Sequence, residues 1–232
     1  MNLNDLNQLI EAKRQEITEW MEKKRAEVPI PIYGSVDVRD AGWKIAVVDA
    51  NHFPAGFNNV APEDEQHLSA LLKNHINRRD EKCRWVHLYP ESHTRNAAYV
   101  ENLKTLQRLI EQAGFRCTVG SPELADHGSL AGISGPLNLD IVSLQMVNDE
   151  ESIVVNGEQP DLILLNNDLT EGIVPGLGTS RVSPPPVMGW HSRKKSHHYD
   201  ALSDYVSEIA ELIGIEPWCL ITDWFVSKDK CL

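Results

Sequence analysis

The chain has 232 residues, 41% of them hydrophobic and 24% charged, which is the composition of a globular protein with ample material for a core. Its formal net charge of −12 repels nucleic-acid backbones and anionic lipid, so neither is an expected general partner. The four cysteines, Cys83, Cys117, Cys219 and Cys231, lack the close spacing of a zinc or redox motif, and no run reaches the ~18 apolar residues of a membrane span. A polar, charged N-terminus without an apolar signal core adds to a cytoplasmic expectation.

In chain order, residues 3–27 read as one amphipathic helix. Leu3, Leu6, Leu9, Ile10, Ile17, Trp20 and Met21 recur at helical spacing, and Asn2 or Asn4 caps the start. V-P-I-P-I at Val28 to Ile32 ends it, because a residue before proline is pushed to extended geometry. The first strand is expected at Trp43 to Val48, without polar alternation and therefore buried on both faces of a parallel sheet. Polar loops bracket it, with Asp37, Arg39 and Asp40 before and Asp49, Asn51, Asn58 and Asn59 after. Two readings fit this stretch, Ser35 to Val60: a ligand site carried on a rigid strand, or a strand followed by an Asx-rich turn.

Pro62 to Arg79 follows as a helix, with proline and acidic residues in its first turn and Arg78 and Arg79 at its end. Arg84 to Tyr89 is a second strand. A helix from about Thr94 to Ala113 carries Tyr99, Leu103, Leu106 and Ile110 on one face, Ser92 or Thr94 as cap, and Gly114 as stop. Phe115 to Val119 completes a β-α-β-α-β order with short connections, the mark of an α/β sheet that places ligands at the carboxyl ends of its strands.

Gly120 to Leu139 reads as loop. Asp140 to Val147 and Ser152 to Val155 flank N-D-E-E and suggest an antiparallel hairpin. Asp161 to Leu165 is a further buried strand, ending in Asn166 to Thr170. A long irregular stretch, Glu171 to Trp190, delivers the basic cluster Arg193, Lys194 and Lys195. A last helix is expected at Asp200 to Ile213 and a last strand at Leu220 to Val226.

The fold class is thus α/β, a mostly parallel sheet flanked by helices, Rossmann-like, with an N-terminal helix and an antiparallel hairpin. The expected domains are residues 1–29, the helix, and residues 30–232, the α/β part. Arg39, Asp49, Asn51, Asn58, Asn59, Asn166 and Asp168 are the candidate pocket residues. Arg193, Lys194 and Lys195 are the candidate anion clamp, read against a solvated charge run. His191, His197 and His198 fit no zinc spacing, and no metal ligand is assigned. No phosphate-loop or nucleophile motif is present, and no residue receives a catalytic role.

Five segments carry a family resemblance: S-V-D-V-R-D-A-G-W-K from Ser35, V-D-A-N-H-F-P-A-G-F-N-N from Val48, Y-P-E-S-H-T-R-N from Tyr89, L-L-N-N-D-L-T-E-G from Leu164, and G-W-H-S-R-K-K-S-H-H from Gly189. In order and spacing the chain resembles the proteobacterial-type glutamate–cysteine ligase family, which is related to ATP-grasp enzymes. The resemblance implies a pre-ATP-grasp N-terminal domain and ATP-dependent joining of the glutamate γ-carboxylate to the cysteine amine, the first step of glutathione synthesis. It also implies ATP and Mg²⁺ as cofactors, and glutamate, cysteine and ATP as small-molecule partners. Family members are longer, so the chain is expected to be an N-terminal portion that is inactive alone. The alternative is a non-catalytic nucleotide- or amino-acid-binding module on the same sheet.

Overall fold

The structure, a computed structural model, describes residues 3–42, 44–92, 95–179, 181–192 and 194–220. The chain forms two compact units, Met1–Asn51 with Ser192–Leu232, and His52–His191. No helix of the described residues is long and apolar enough to cross a membrane.

The first unit opens with α1, Leu3–Ala12, and α2, Arg14–Glu27. The single helix expected over 3–27 is therefore two. Lys13, at φ −114° and ψ 15°, leaves the helical region, and its N–H is shared between the carbonyls of Leu9 and Ile10. Leu6 of α1 is buried, whereas α2 buries none of its residues fully. Two strands follow, β1, Ser35–Asp40, and β2, Ile45–Asn51. They pair antiparallel, with a register shift between Asp37 and Val38.

This corrects the expected parallel, doubly buried strand at Trp43 to Val48. Ser35–Asp40 alternates apolar and polar residues, which is strand periodicity rather than loop. Gly42, at φ 82°, sits in the tight turn back, and its N–H is held by the Asp40 carboxylate at 2.7 Å. With only two strands, β2 is fully buried at Ile45 and Ala46 alone.

In the second unit, a short 3₁₀ turn at Pro62–Asp64 leads into α3, Glu65–Arg79. Then come β3, Trp85–Pro90, α4, Ala97–Gln112, and β4, Arg116–Val119. The cap of α4 is Asn96, not Ser92 or Thr94: its side chain accepts from the N–H groups of Ala98 and Tyr99. Thr94 lies outside the described residues. Gly114 follows the helix end as expected.

The stretch read as loop after β4 contains β5, Ser129–Gly132, and β6, Gly135–Asn138, an antiparallel hairpin on α4. Glu101 on α4 accepts from the backbone N–H and hydroxyl of Ser134 at 2.9 and 2.7 Å, which ties the hairpin tip down. The second hairpin, β7, Val142–Val147, and β8, Glu150–Val155, forms where expected. It turns at Asn148 and Asp149, both with positive φ, the two-residue turn that right-twisted strands favour. Last come β9, Leu162–Asn166, and the two-residue β10, Val182–Ser183, the latter from within the long irregular stretch.

Four strands make one parallel sheet in the order β10-β9-β3-β4. Alternation sends Trp85, Tyr89, Ile163, Leu165 and Val182 to one face, where Val142, Ile153, Val155 and Leu177 complete a buried cluster. α4 packs against β3 and β4, and its Leu103, Leu106 and Leu109 are wholly buried. Each such leucine contributes about 1.5–3 kcal/mol. The α/β class expected from the sequence holds, with a hairpin as part of the covering.

The chain then returns to the first unit with α5, Lys195–Ile213. It starts five residues before the expected Asp200, so Lys195 and the two histidines after it are helical. Ile213 and Ile45 share a small apolar cluster with Leu6. Trp20 of α2 donates its indole N–H to Glu208 at 2.8 Å and packs edge-on against Tyr205. The expected strand at Leu220 to Val226 lies, save Leu220, outside the described residues.

Candidate functional site

The parallel sheet has a switch point between β3 and β9. From β3 the chain crosses through α4 to β4 on one side, and from β9 it proceeds to β10 on the other. Ligands of open α/β sheets bind in the crevice outside the carboxyl ends at such a point. Pro90 is in register with Asn166, so the loops after β3 and β9 leave the sheet together.

A cavity of about 160 Å³ lies there, lined by Glu91 and Ser92 after β3, Glu123 after β4, and Asn167 to Gly172 after β9. Among these described lining residues four are carboxylates, Glu91, Glu123, Asp168 and Glu171, and none is basic. The cavity therefore suits a positively charged group.

The walls are held by Asn166 and by two side chains of α4, Tyr99 and Asn102, that are not among the predicted pocket residues. The Tyr99 hydroxyl accepts from the Glu91 N–H at 2.9 Å and donates to the Asn166 carbonyl at 2.8 Å, joining the ends of β3 and β9 to α4. Asn102, wholly buried, accepts from the N–H groups of Gly56 and Phe57 at 2.9 and 3.0 Å. Its amide donates to Asn166 Oδ1 at 3.1 Å, and Asn166 donates in turn to the Pro54 carbonyl at 2.9 Å. Two buried amides thus join Pro54 to Phe57 with the end of β9, and the Tyr99 hydroxyl adds the segment after β3.

Asn102 carries a sequence signal: it lies three residues after Tyr99 and four before Leu106, on the apolar face of α4. An amide among buried apolar neighbours there needs partners.

The loop after β9 is itself ordered. Asn167 donates to the Pro90 carbonyl at 3.2 Å and accepts from Leu169 N–H at 2.9 Å. Asp168 N–H reaches Glu91 Oε1 at 3.4 Å, and Thr170 N–H reaches Asp168 Oδ1 at 3.3 Å. Trp190 N–H donates to the Asp168 carbonyl at 2.8 Å, and His191 Nδ1 lies 3.1 Å from the Leu169 carbonyl, so that nitrogen carries the proton. Tyr89, buried on β3, donates its hydroxyl to both Glu123 oxygens, and burial together with that carboxylate raises its pKa.

The predicted pocket residues fall into two groups. Asn58, Asn59, Asn166 and Asp168 belong to the second unit. Asn58 and Asn59 are exposed on a 3₁₀ turn, whereas Asn166 is 1% exposed and Asp168 lines the cavity. Arg39, Asp49, Asn51, Lys194 and Lys195 belong to the first unit. Arg39 is exposed on β1, Asn51 ends β2, and Lys194 is the residue before α5. Lys195 pairs with Asp49 at 3.2 Å, and Tyr199 fixes α5 to β2 by donating to the Val48 carbonyl at 2.6 Å. Arg193 lies outside the described residues.

A family model described as glutamate-cysteine ligase matches residues 7–230. The crystal structure of a provisionally named gamma-glutamylcysteine synthetase from Methylobacillus flagellatus KT is 33% identical, superposes with a TM-score of 0.81, and is matched over 94% of this chain. The match covers 51% of that protein, so the chain spans about half its length. No curated protein matches. A match over nearly the whole chain, agreeing in sequence and fold, places it: the chain belongs to the glutamate–cysteine ligase family.

Proposed function

We propose that the protein serves ATP-dependent joining of the glutamate γ-carboxylate to the cysteine amine, and that its switch-point cavity receives the ammonium end of an amino-acid substrate. The observation that carries this is the convergence of Y-P-E-S and L-L-N-N-D-L-T-E-G, two segments of the family resemblance, on one cavity rich in carboxylates. Glu91 and Asp168 present negative charge to the ammonium. Asn166 has both side-chain polar atoms engaged in the protein, so its role is to position the two loops. Asn58, Asn59, Arg39, Asp49 and Asn51 remain proposed substrate contacts, and Arg193, Lys194 and Lys195 the proposed holders of anionic groups.

In such a ligation ATP activates the carboxylate as an acyl phosphate. Among the described residues no three His, Cys, Asp or Glu side chains are grouped to hold a metal ion, and the cavity lining has no cation for phosphate. No step is therefore assigned to this chain's residues beyond holding and orienting an amino acid. That same donor set favours a second reading, amino-acid binding without turnover.

Calorimetry with glutamate and with cysteine, beside an assay of γ-glutamylcysteine formation from both plus ATP and Mg²⁺, tests the two. Glu91→Gln and Asp168→Asn are each expected to weaken amino-acid binding about tenfold, the loss of one charge-assisted contact. Binding with product supports ligation; binding without product selects the second reading. Absence of binding by either amino acid would overturn both.

A further inference from the structure

At the opposite edge of the parallel sheet, where β9 and β10 begin, a second cavity of about 320 Å³ opens beside the end of α3. Its buried floor is apolar: Ile76, Leu162 and the Cys83 thiol, which burial pushes up to about 11 and so keeps neutral. Its rim carries two cations, Arg79 and Arg181, and two anions, Asp80 and Asp161.

Each of the four is anchored to backbone. Arg79 donates to the Val182 carbonyl at 3.1 Å and Arg181 to that of Pro160 at 3.3 Å, while the Arg181 carbonyl accepts from Ile163 N–H. Asp161 Oδ2 accepts from the N–H groups of Arg84 and Trp85 at 2.8 and 2.9 Å, and Asp80 Oδ1 from Lys82 N–H at 2.8 Å. Although they line one cavity, Arg181, Asp80 and Asp161 have no ion-pair partner within 4.0 Å among the described residues. Arg181 is thus fixed on the same apolar floor as Asp80 and Asp161 without pairing with either. A guanidinium has five N–H donors and each carboxylate two acceptor oxygens, so both signs keep bonding capacity for a ligand.

We propose that this cavity is a second binding site, for a free zwitterionic amino acid with a small apolar side chain. The ligand carboxylate meets Arg181 and Arg79, its ammonium meets Asp80 and Asp161, and its side chain covers Ile76 and Leu162. The size falls within the range of small-ligand pockets, and the pairing of apolar floor with a few convergent polar groups is their usual make-up. The site is separate from the switch-point cavity, so it stands whether or not that cavity holds substrate.

Amide NMR of the full chain, titrated with glycine and L-valine, tests it. Acetate and methylammonium, each carrying one of the two charges, serve as controls. The expected result is dose-dependent shifts at the amides of Lys82, Arg84, Trp85 and Ile163, with L-valine tighter than glycine. Arg181→Gln and Asp80→Asn, both at exposed side chains, are expected to weaken the titration by about tenfold while leaving the rest of the spectrum in place. The proposal is overturned if these amides do not shift, if shifts appear only around Glu91 and Asp168, if acetate or methylammonium alone reproduces them, or if both variants titrate like the parent chain.

Discussion

His87 sits wholly buried on β3, with Nε2 2.9 Å from the Gly120 carbonyl and Nδ1 2.9 Å from the Thr118 hydroxyl. A carbonyl only accepts, so Nε2 carries the proton and Nδ1 accepts from Thr118, whose oxygen accepts in turn from the Trp85 indole at 2.8 Å. Burial disfavours the charged ring and lowers its pKa to about 4. The folded value lies below the unfolded value of about 6.5. The neutral ring's contribution, about 3 kcal/mol, is therefore present above pH 6.5 and is lost as pH falls towards 4. Imidazole ¹⁵N spectra are expected to show the Nε2–H tautomer persisting well below pH 6; a ring that protonates near pH 6.5 would contradict this. Asn102 is the other buried side chain with much at stake. Asn102→Ala strands the Gly56 and Phe57 amides and one polar group of Asn166, and urea unfolding is expected to show a loss of about 2–4 kcal/mol. A loss under about 1 kcal/mol would mean that water replaces the amide.

At the scale of elements, the β7–β8 hairpin and the close approach after β4 give the sharpest tests. Asp149 at φ 65° holds a left-handed turn position, which an Asp tolerates and a β-branched residue does not. Asp149→Val is expected to destabilise by about 1–2 kcal/mol and Asp149→Gly to be neutral or stabilising, read from denaturation midpoints. A Cβ on Gly120 would lie 2.8 Å from both the Asp140 carbonyl oxygen and a Val142 methyl, with backbone on one side unable to yield. Gly120→Ala is expected to cost about 1–3 kcal/mol. These elements also mark what was legible in the sequence. β3, β9, α3 and α4 were readable because apolar runs and helical stripes are local signals, and N-D-E-E announced its hairpin. The β5–β6 hairpin was not, because only Leu130 and Leu137 are buried and its polar hold on α4 comes from Glu101 and Lys104, thirty or more residues away in sequence. The early start of α5 was hidden too: Lys195 to Tyr199 is polar, and its contacts are Asp49 and the Val48 carbonyl, far off along the chain.

For the whole molecule, residues 52–191 enclose their own core, from Phe53 through Tyr89 and Leu165 to Val182. A fragment of residues 52–191 is expected to unfold cooperatively with dispersed amide resonances; a molten, probe-dependent transition would show that its core needs the other residues. The sequence by itself determined the α/β class and the kinship to glutamate–cysteine ligases, since these rest on local pattern and on residue identity. Only the tertiary structure decided which loops share a cavity. Asn166 and Asp168 stand two residues apart, yet one is locked between Asn102 and Pro54 and the other faces the cavity. Likewise the apolar run at Ile45 to Val48 went to a hairpin instead of the parallel sheet. The cause is physical in both cases: strand pairing and buried hydrogen bonds join residues far apart in the chain, and which partners meet is set by packing that no single stretch of sequence contains.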